Sequence, residues 1–515
     1  MMLESSRHLY QAPLYKSINN LWTNSYSKVI EECDTLTIDN VSIASIISFG
    51  QTSQNRTLFK EIKRLPWLAQ ALEDGSYLLE KPPKHDFLFA STNTLANLLF
   101  QKLCAEAREV IKLYRKIYIL TTGGLDSRII VGIFRHLHKE GETFEKPICL
   151  TWGLENSRDV YYGKQVAKVS DLEWYHMSLD PQSVIKNIEN CGHTLGLIHS
   201  PEMLHSMLSL SDLPKDSIVI AGSFGDSIGR GEFSNVHLLQ LIQKTPTNTY
   251  NLIENRAFDI AKIGLDKDLQ EIHMREGPNL QYVQCEYWMQ GYRMRNGLCH
   301  ALSVINSYSR VYQMFTAPEV YSFMWSLHPS IRGNETYFQL LKEYFPSLAS
   351  IPWARTNKPL VGKTSVNGLK EHYHDYTIWS GADLNSYLDT LVDPEWFHST
   401  GVFDANSIRK LSTLVRVSKI RVGRLNDIWL WLAGFRYYID SLERKGKRVI
   451  FNNESQSEIK ISSRKFFYIN PFVLLASMSS IINRSGKALR TSNRNKSLVK
   501  AKKEMLETCP PRLLK

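Results

Sequence analysis

The 515-residue chain lacks most of the features that place a protein at first sight. Its seven cysteines, Cys33, Cys104, Cys149, Cys191, Cys285, Cys299 and Cys509, are odd in number, scattered and free of any CxxC pair. That argues against a disulfide framework or a structural zinc site and fits a reducing, cytoplasmic setting. The longest strongly apolar stretch, Phe466 to Ile482, is interrupted by Asn470, Pro471 and three serines, so no membrane-spanning helix is expected there. Met1 to Arg7 has no apolar core of a signal peptide. There is no internal repeat, no GxxxxGK[ST] and no GxGxxG. With 43% hydrophobic residues, disorder along the whole length is excluded.

The main body also lacks charge of one sign. Lys+Arg number 62 against 51 Asp+Glu, but 17 and 5 of these fall between Glu443 and Lys515, leaving 45 and 46 before them. The basic character therefore belongs to a C-terminal tail, and a body built to bind nucleic acid is not expected.

Residues 1–40 read as a polar, irregular leader, and Val41 to Pro82 as short apolar runs with turn residues. Asn93 to Tyr114 carries Leu95, Leu98, Leu99, Leu103 and Ala107 at helical spacing. From Lys116 to about Gly231 short apolar runs alternate with helical patterns. Strands are expected at Ile117–Thr121, Ile148–Trp152, Glu173–Met177 and Ser217–Ala221, and helices at Arg128–Glu140 and Asp159–Val169. This is the grammar of an α/β fold, a parallel sheet flanked by helices. Leu252 to Leu442 reads as a mostly helical half, rich in Trp and Tyr.

The informative stretch is Leu120-Thr121-Thr122-Gly123-Gly124-Leu125-Asp126-Ser127-Arg128. Adjacent glycines directly after a strand let the backbone turn tightly and approach a ligand. A helix starting near Asp126 or Ser127 turns its free N–H groups toward that bend, which favours an anion such as phosphate. Thr122 and Ser127 add hydroxyl donors, and Asp126 is suited to hold a Mg²⁺ that bridges phosphate oxygens.

Thr122 to Ser127 resembles the SGGxDS pyrophosphate loop of the N-type ATP pyrophosphatases. More closely, the chain is similar to the synthetase domain of asparagine synthetases and their relatives, the β-lactam synthetases and lasso-peptide cyclases. Three further segments fall in the family's order. Arg56 to Pro66 is similar to its TLFxxIxxLPPG stretch, Leu150-Thr151-Trp152-Gly153 with Ser157-Arg158-Asp159 to its next strand and acidic segment, and Ala221 to Ser227 with Gly231 to its SGEGSDE…GG segment. The resemblance covers roughly 40–440. It implies an adenine nucleotide alpha hydrolase-like fold, with residues 41–100 as a remnant of what precedes the synthetase domain, 101–442 as that domain and 443–515 as the basic tail.

The resemblance also implies an activity: ATP adenylates a carboxylate, releasing pyrophosphate, and a nitrogen nucleophile displaces AMP. Leu120, Thr122, Gly123, Gly124, Asp126, Ser127, Trp152, Ala221 and Gly222 are the implied ATP contacts, with the Leu120 and Trp152 backbone against adenine. Asp126 and Asp226 are the implied Mg²⁺ ligands and belong to the catalytic set. Lys358, in Trp353 to Pro359, is the candidate catalytic lysine, with Lys363 and Arg355 as alternates. Arg310 resembles part of an E-x-R-x-P-F-L-D segment, or simply positions a helix.

Two departures shape the expected function. The glutamine-hydrolysing relatives need an N-terminal cysteine and a glutaminase domain of about 200 residues. Here the second residue is Met2 and 121 residues precede Thr122, so nitrogen is expected from ammonia, a separate glutaminase subunit or an amine substrate. Ser223 stands where the family has a catalytic Glu and has no basicity near neutral pH. The favoured reading is amide synthesis on a carboxylate other than aspartate. The alternatives are a catalytically weakened nucleotide-binding member acting through a partner, and a tRNA-modifying pyrophosphatase, which the neutral body disfavours.

Weaker signals stay open. His372-Tyr373-His374-Asp375 is a metal site or a polar surface loop, Tyr175 and His176 are expected to pack near the ATP site, and the aromatic residues of 287–325 to pack helices. Phe466 to Ile482, followed by Arg484, Lys487, Arg490, Arg494, Lys496, Lys500, Lys502 and Lys503, is a solvated terminus or a surface that rests on the inner, anionic membrane face.

Overall fold

The computed structural model describes residues 9–10, 12–17, 21–230, 245–274, 281–363, 365–451 and 480–514, with backbone only for 272–274 and 480–493. Five strands form one parallel sheet: β1 (Ile117–Leu120), β2 (Ile148–Gly153), β3 (Trp174–Ser178), β4 (Ile218–Ala221) and β5 (Arg310–Gln313). Their order is β5-β4-β1-β2-β3. β1 and β4 are apolar and buried at every residue, as central strands covered on both faces must be.

Helices α1 (Thr92–Leu113), α2 (Leu125–Lys139), α3 (Arg158–Val169) and α4 (Pro181–Leu195) flank the sheet or extend its layers. Local chemistry sets their ends. Ser91, Ser157 and Asp180 accept N–H groups of the first turns of α1, α3 and α4, and Gly196, at φ 69°, terminates α4. On α2 the side chains of Ile129, Ile130, Ile133, Phe134 and Leu137 are all buried, as the helical spacing requires. The chain runs from β1 through β2 to β3 on one side, then returns to place β4 and β5 on the other. The direction of strand order therefore reverses between β1 and β4, which pair in register at Ile117↔Ile218 and Ile119↔Ile220.

The sheet and its four expected strands agree with the sequence pattern to within a residue at most ends. α2 begins at Leu125, slightly earlier than expected. Arg310 opens β5, a strand unmarked in the sequence because Arg-Val-Tyr-Gln carries little apolar signal.

The N-terminal stretch differs more. The described part of 1–40 is structured: Tyr15–Lys16 pairs with Lys63–Arg64, Tyr26–Glu31 is helical, and Thr35–Thr37 pairs with Arg448–Ile450. Leu9, Tyr15, Tyr26, Val29 and Leu36 are buried in the main core. Their partners lie far along the chain, so no local pattern announces them. The tail returns to the body as well. The helix Ser480–Thr508 ends on buried Met505 and Cys509, His328 Nε2 lies 3.0 Å from Cys509 O, and Arg512–Leu513 pairs with Leu88–Phe89.

Arg494, Lys496, Lys500 and Lys503 are exposed on that helix. Most of the apolar run at 466–482, the side chains of Arg484, Lys487 and Arg490, and Gly231 lie outside the described residues. Among the described residues no helix is long and apolar enough to cross a membrane. The C-terminal half is mostly helical, and α5 (Leu425–Arg444) buries Trp429, Trp431 and Phe435, with Trp431 Nε1 donating to Leu197 O at 3.0 Å. In 287–325, Tyr287, Trp288, Tyr292 and Trp325 are buried packing residues.

Candidate functional site

In an open parallel sheet a ligand crevice forms outside the carboxyl ends of the strands, where strand order reverses. Here that place lies past Leu120 of β1 and Ala221 of β4, and both strands end in glycine-containing turns. After β1, Ser127 Oγ accepts the Thr122 N–H (3.1 Å), Thr122 Oγ1 accepts the Gly124 N–H (3.0 Å), and the Gly123 N–H donates to Asp159 O (3.1 Å). The turn is thus held by its own hydroxyls and by the start of α3. The amides of the first turn of α2 find no acceptor within the helix and face the crevice end of the dipole.

Gly123 is a site of forced close approach. A Cβ there would lie 2.6 Å from Ala354 Cβ and 3.0 Å from Tyr162 Cβ. Gly123 O accepts from the Ala354 N–H (3.0 Å) and from Arg128 Nη2 (3.1 Å). Arg128, fully buried, also donates to the carbonyls of Leu348 (3.0 Å), Ile351 (2.6 Å) and Pro352 (3.0 Å). One guanidinium therefore locks the loop 348–354 onto the glycine turn.

The second turn, Ala221 to Gly225, packs directly on the first turn of α2. A Cβ on Gly225 would lie 2.6 Å from Asp126 Oδ1. Gly222 and the half-buried Ser223 sit in this turn. It brings Asp226 beside Asp126, and between them comes a residue without signal in the sequence reading, Arg230. Its Nε lies 2.9 Å from Asp126 Oδ1, its Nη2 2.9 Å from Asp126 Oδ2, and the same Nη2 3.4 Å from Asp226 Oδ2. The guanidinium is buried, over the rings of Trp353 (5.7 Å) and Tyr337 (5.8 Å). Burial alone would lower its pKa, but Asp126 and then Asp226 outweigh burial and hold it above its ordinary value. The i,i+4 spacing from Asp226 is the one sequence feature that could have pointed to it.

Two carboxylates this close form part of a donor set for a divalent cation, but the Arg230 guanidinium occupies the bridging position. As arranged, the pair does not fit a metal, which would have to displace that side chain. Among the described residues no group of three or more His, Cys, Asp or Glu side chains is placed to hold one. This includes His372 to Asp375, where the His374 ring stacks on Tyr376 (4.2 Å) and Asp375 pairs with Lys370 (2.6 Å).

The loop carrying the candidate lysine flanks the site through its backbone. Trp353 N–H donates to Lys358 O (2.9 Å), and Asn357, at φ 55°, accepts from Tyr162 Oη. The Lys358 ammonium is exposed and pairs with neither aspartate. Of the alternates, Arg355 lies over the Trp353 ring (5.8 Å) and Lys363 is exposed. On the opposite flank, Leu120 pairs with Leu150 of β2, and Trp152 lies at the C-terminal end of that strand with its ring stacked on His205 (5.9 Å). His176 is a partly buried residue of β3, its Nε2 2.8 Å from Gly153 O, while Tyr175 is exposed. Behind the glycine turn, burial pushes the Asp159 carboxyl up to about 6, against a hydrogen bond from the Gly123 amide that pulls it down.

The structure thus brings Thr122, Gly123, Gly124, Asp126, Ser127, Ala221, Gly222 and Asp226 together at one strand-order reversal, with Leu120 and Trp152 on one flank and the Lys358 loop on another. Comparison of the chain with protein-family models and with curated proteins finds no match.

Proposed function

We propose that the chain is an AMP-forming ligase of the asparagine-synthetase type, with a fold of the adenine nucleotide alpha hydrolase class. The observation that carries this reading is the glycine turn at the N-terminus of a buried helix, at the point where strand order reverses, with the Ala221–Gly225 turn packed against it. Such a crevice suits a phosphate chain through its first-turn amides and the hydroxyls of Thr122 and Ser127. Arg230 offsets one of the two carboxylate charges of Asp126 and Asp226 beside it.

In the reaction a carboxylate oxygen of the substrate attacks the α-phosphorus of ATP, and pyrophosphate leaves with its bonding electrons. Ammonia or an amine then attacks the acyl carbon, loses a proton and expels AMP. The turn residues orient the phosphates so that the α–β bond lies in line with the attacking oxygen. Lys358 swings from its loop to the charge that builds on the leaving oxygens. Ser223 does not serve as base, so the proton passes to a second amine molecule or to water.

Incubation with ATP, Mg²⁺ and a panel of carboxylates should release pyrophosphate. Lys358→Ala should lower the rate by about 10²- to 10³-fold, the usual effect of removing one charge-stabilising group. A second reading, a nucleotide-binding accessory protein, draws support from Ser223 and from the Arg230 bridge across the two aspartates. ATP binding without turnover on any acid of the panel would favour it.

A further inference from the structure

The chain's basic excess is concentrated on one helix. Within Ser480–Thr508 eight residues are Lys or Arg and two are Glu, against a body with almost equal numbers of either sign. The end of this helix is fixed to the body. Met505 and Cys509 are buried, His328 Nε2 lies 3.0 Å from Cys509 O, and the Arg512 and Leu514 N–H groups donate to Phe87 O (2.9 Å) and Phe89 O (3.0 Å). Its last turns therefore belong to the folded surface.

Residues 494–508 divide into two sides. Leu498, Ala501 and Met505, three and four apart, are half-buried or buried. Lys496, Val499, Lys500, Lys503 and Leu506 recur at spacings of three, four and seven on the opposite side, and all five are exposed. Val499 is 70% exposed and Leu506 38%, so two aliphatic side chains stand in water among three ammonium groups. Lys500 lies 3.7 Å from the exposed Glu504, and among the described residues no carboxylate pairs with Lys496 or Lys503.

Such a stripe fits a polyanion, and its composition decides which kind. Three lysines alone would suit nucleic-acid phosphates and lipid head groups equally. The aliphatic residues between them favour the lipid, because a nucleic-acid backbone gives Val and Leu nothing to bury against. The stripe also holds neither the arginines nor the aromatic rings that read or stack bases. At a bilayer interface the lysine stems lie along the acyl boundary with their ammonium groups among the phosphates, and small aliphatic side chains enter that boundary.

We propose that Lys496, Val499, Lys500, Lys503 and Leu506 form a docking surface for an anionic lipid bilayer, on which this helix rests without spanning it. The proposal stands independently of the nucleotide reading.

Flotation of the full chain with vesicles of phosphatidylcholine alone, and of an equal mixture with phosphatidylglycerol, tests it. The chain should float with the mixture and not with phosphatidylcholine. Replacing Lys496, Lys500 and Lys503 together by Gln should weaken binding about 10²-fold, each surface lysine contributing roughly fivefold. Val499→Ser combined with Leu506→Ser leaves the charge unchanged and should weaken binding at least about tenfold. A variant that loses helix content by circular dichroism is not counted, and the other then carries the test. Equal flotation with both vesicles, flotation with neither, binding unchanged in either folded variant, or displacement from the mixture by duplex DNA at matched phosphate concentration would overturn the proposal.

Discussion

Arg230 grips Asp126 side-on, with Nε and Nη2 each 2.9 Å from one carboxylate oxygen, and extends the same Nη2 to Asp226. The guanidinium is a cation shared by two aspartates in one partly buried corner. Replacing it by Met should cost about 2–4 kcal/mol, since breaking a buried ion pair strands the remaining charges. Urea unfolding should show the loss at neutral pH and its relief in acid, where the carboxylates protonate. Equal stability of Arg230→Met and wild type at neutral pH would contradict the pairing.

A divalent cation and the Arg230 guanidinium compete for the same place. Arg230→Met should therefore create Mn²⁺ binding detectable by electron paramagnetic resonance, and adding Asp126→Asn should remove it. Wild type should bind Mn²⁺ at least about tenfold more weakly than Arg230→Met, the cost of displacing a charge-assisted pair. Equal binding by the two would mean that Arg230 leaves without resistance.

Gly123→Ala tests the close approach of the turn to its neighbours. A Cβ at 2.6 Å from Ala354 Cβ must push the 348–354 loop outward against the four carbonyl bonds of Arg128. Overpacking of this kind costs about 1–3 kcal/mol. ATP binding should weaken more than the melting temperature falls, because the displaced loop borders the crevice.

Asp159 gives the site a pH signature. Its carboxyl is raised to about 6 by burial, so the folded state binds this proton more tightly than the unfolded chain. The stabilisation is full below the ordinary aspartate value and is lost as pH rises through about 6, on the order of 2–3 kcal/mol in total. Asp159→Asn should equal wild type in acid and exceed it at alkaline pH, read as melting temperature across the range. A flat difference would refute the assignment.

Glu286 carries the opposite sign. Fully buried, it accepts from Arg332 Nη2 (2.5 Å) and Nη1 (3.0 Å) and lies 2.6 Å from His85 Nε2. Burial would raise its carboxyl, but Arg332 and then His85 outweigh burial and hold it far below the usual carboxylate range. Its stabilisation is present above the ordinary glutamate value and is lost only as pH falls through that depressed value. Glu286→Gln should cost about 3–5 kcal/mol at neutral pH, measured by urea unfolding, because it breaks the buried Glu286–Arg332 pair.

The legible parts of the sequence were those with dense local signal. β1 and β4 are unbroken apolar runs, and the glycine turn carries its chemistry in six consecutive residues. What escaped depended on distant partners. Thr35–Thr37 becomes a strand only because Arg448–Ile450 pairs with it, and Arg310–Gln313 only because β4 presents a free edge. Arg230 gave little warning because its two carboxylate partners are 104 and 4 residues away, and the pairing follows from the packing of one turn on another.

The most direct measurement is the identity of the nucleotide product when the chain is given ATP and a mixed pool of carboxylates and amines. The account predicts AMP and pyrophosphate in equal amounts, formed only when an acid is present and about 10²- to 10³-fold slower in Lys358→Ala. Accumulation of ADP and phosphate, or no ATP bound at all by titration, would contradict it.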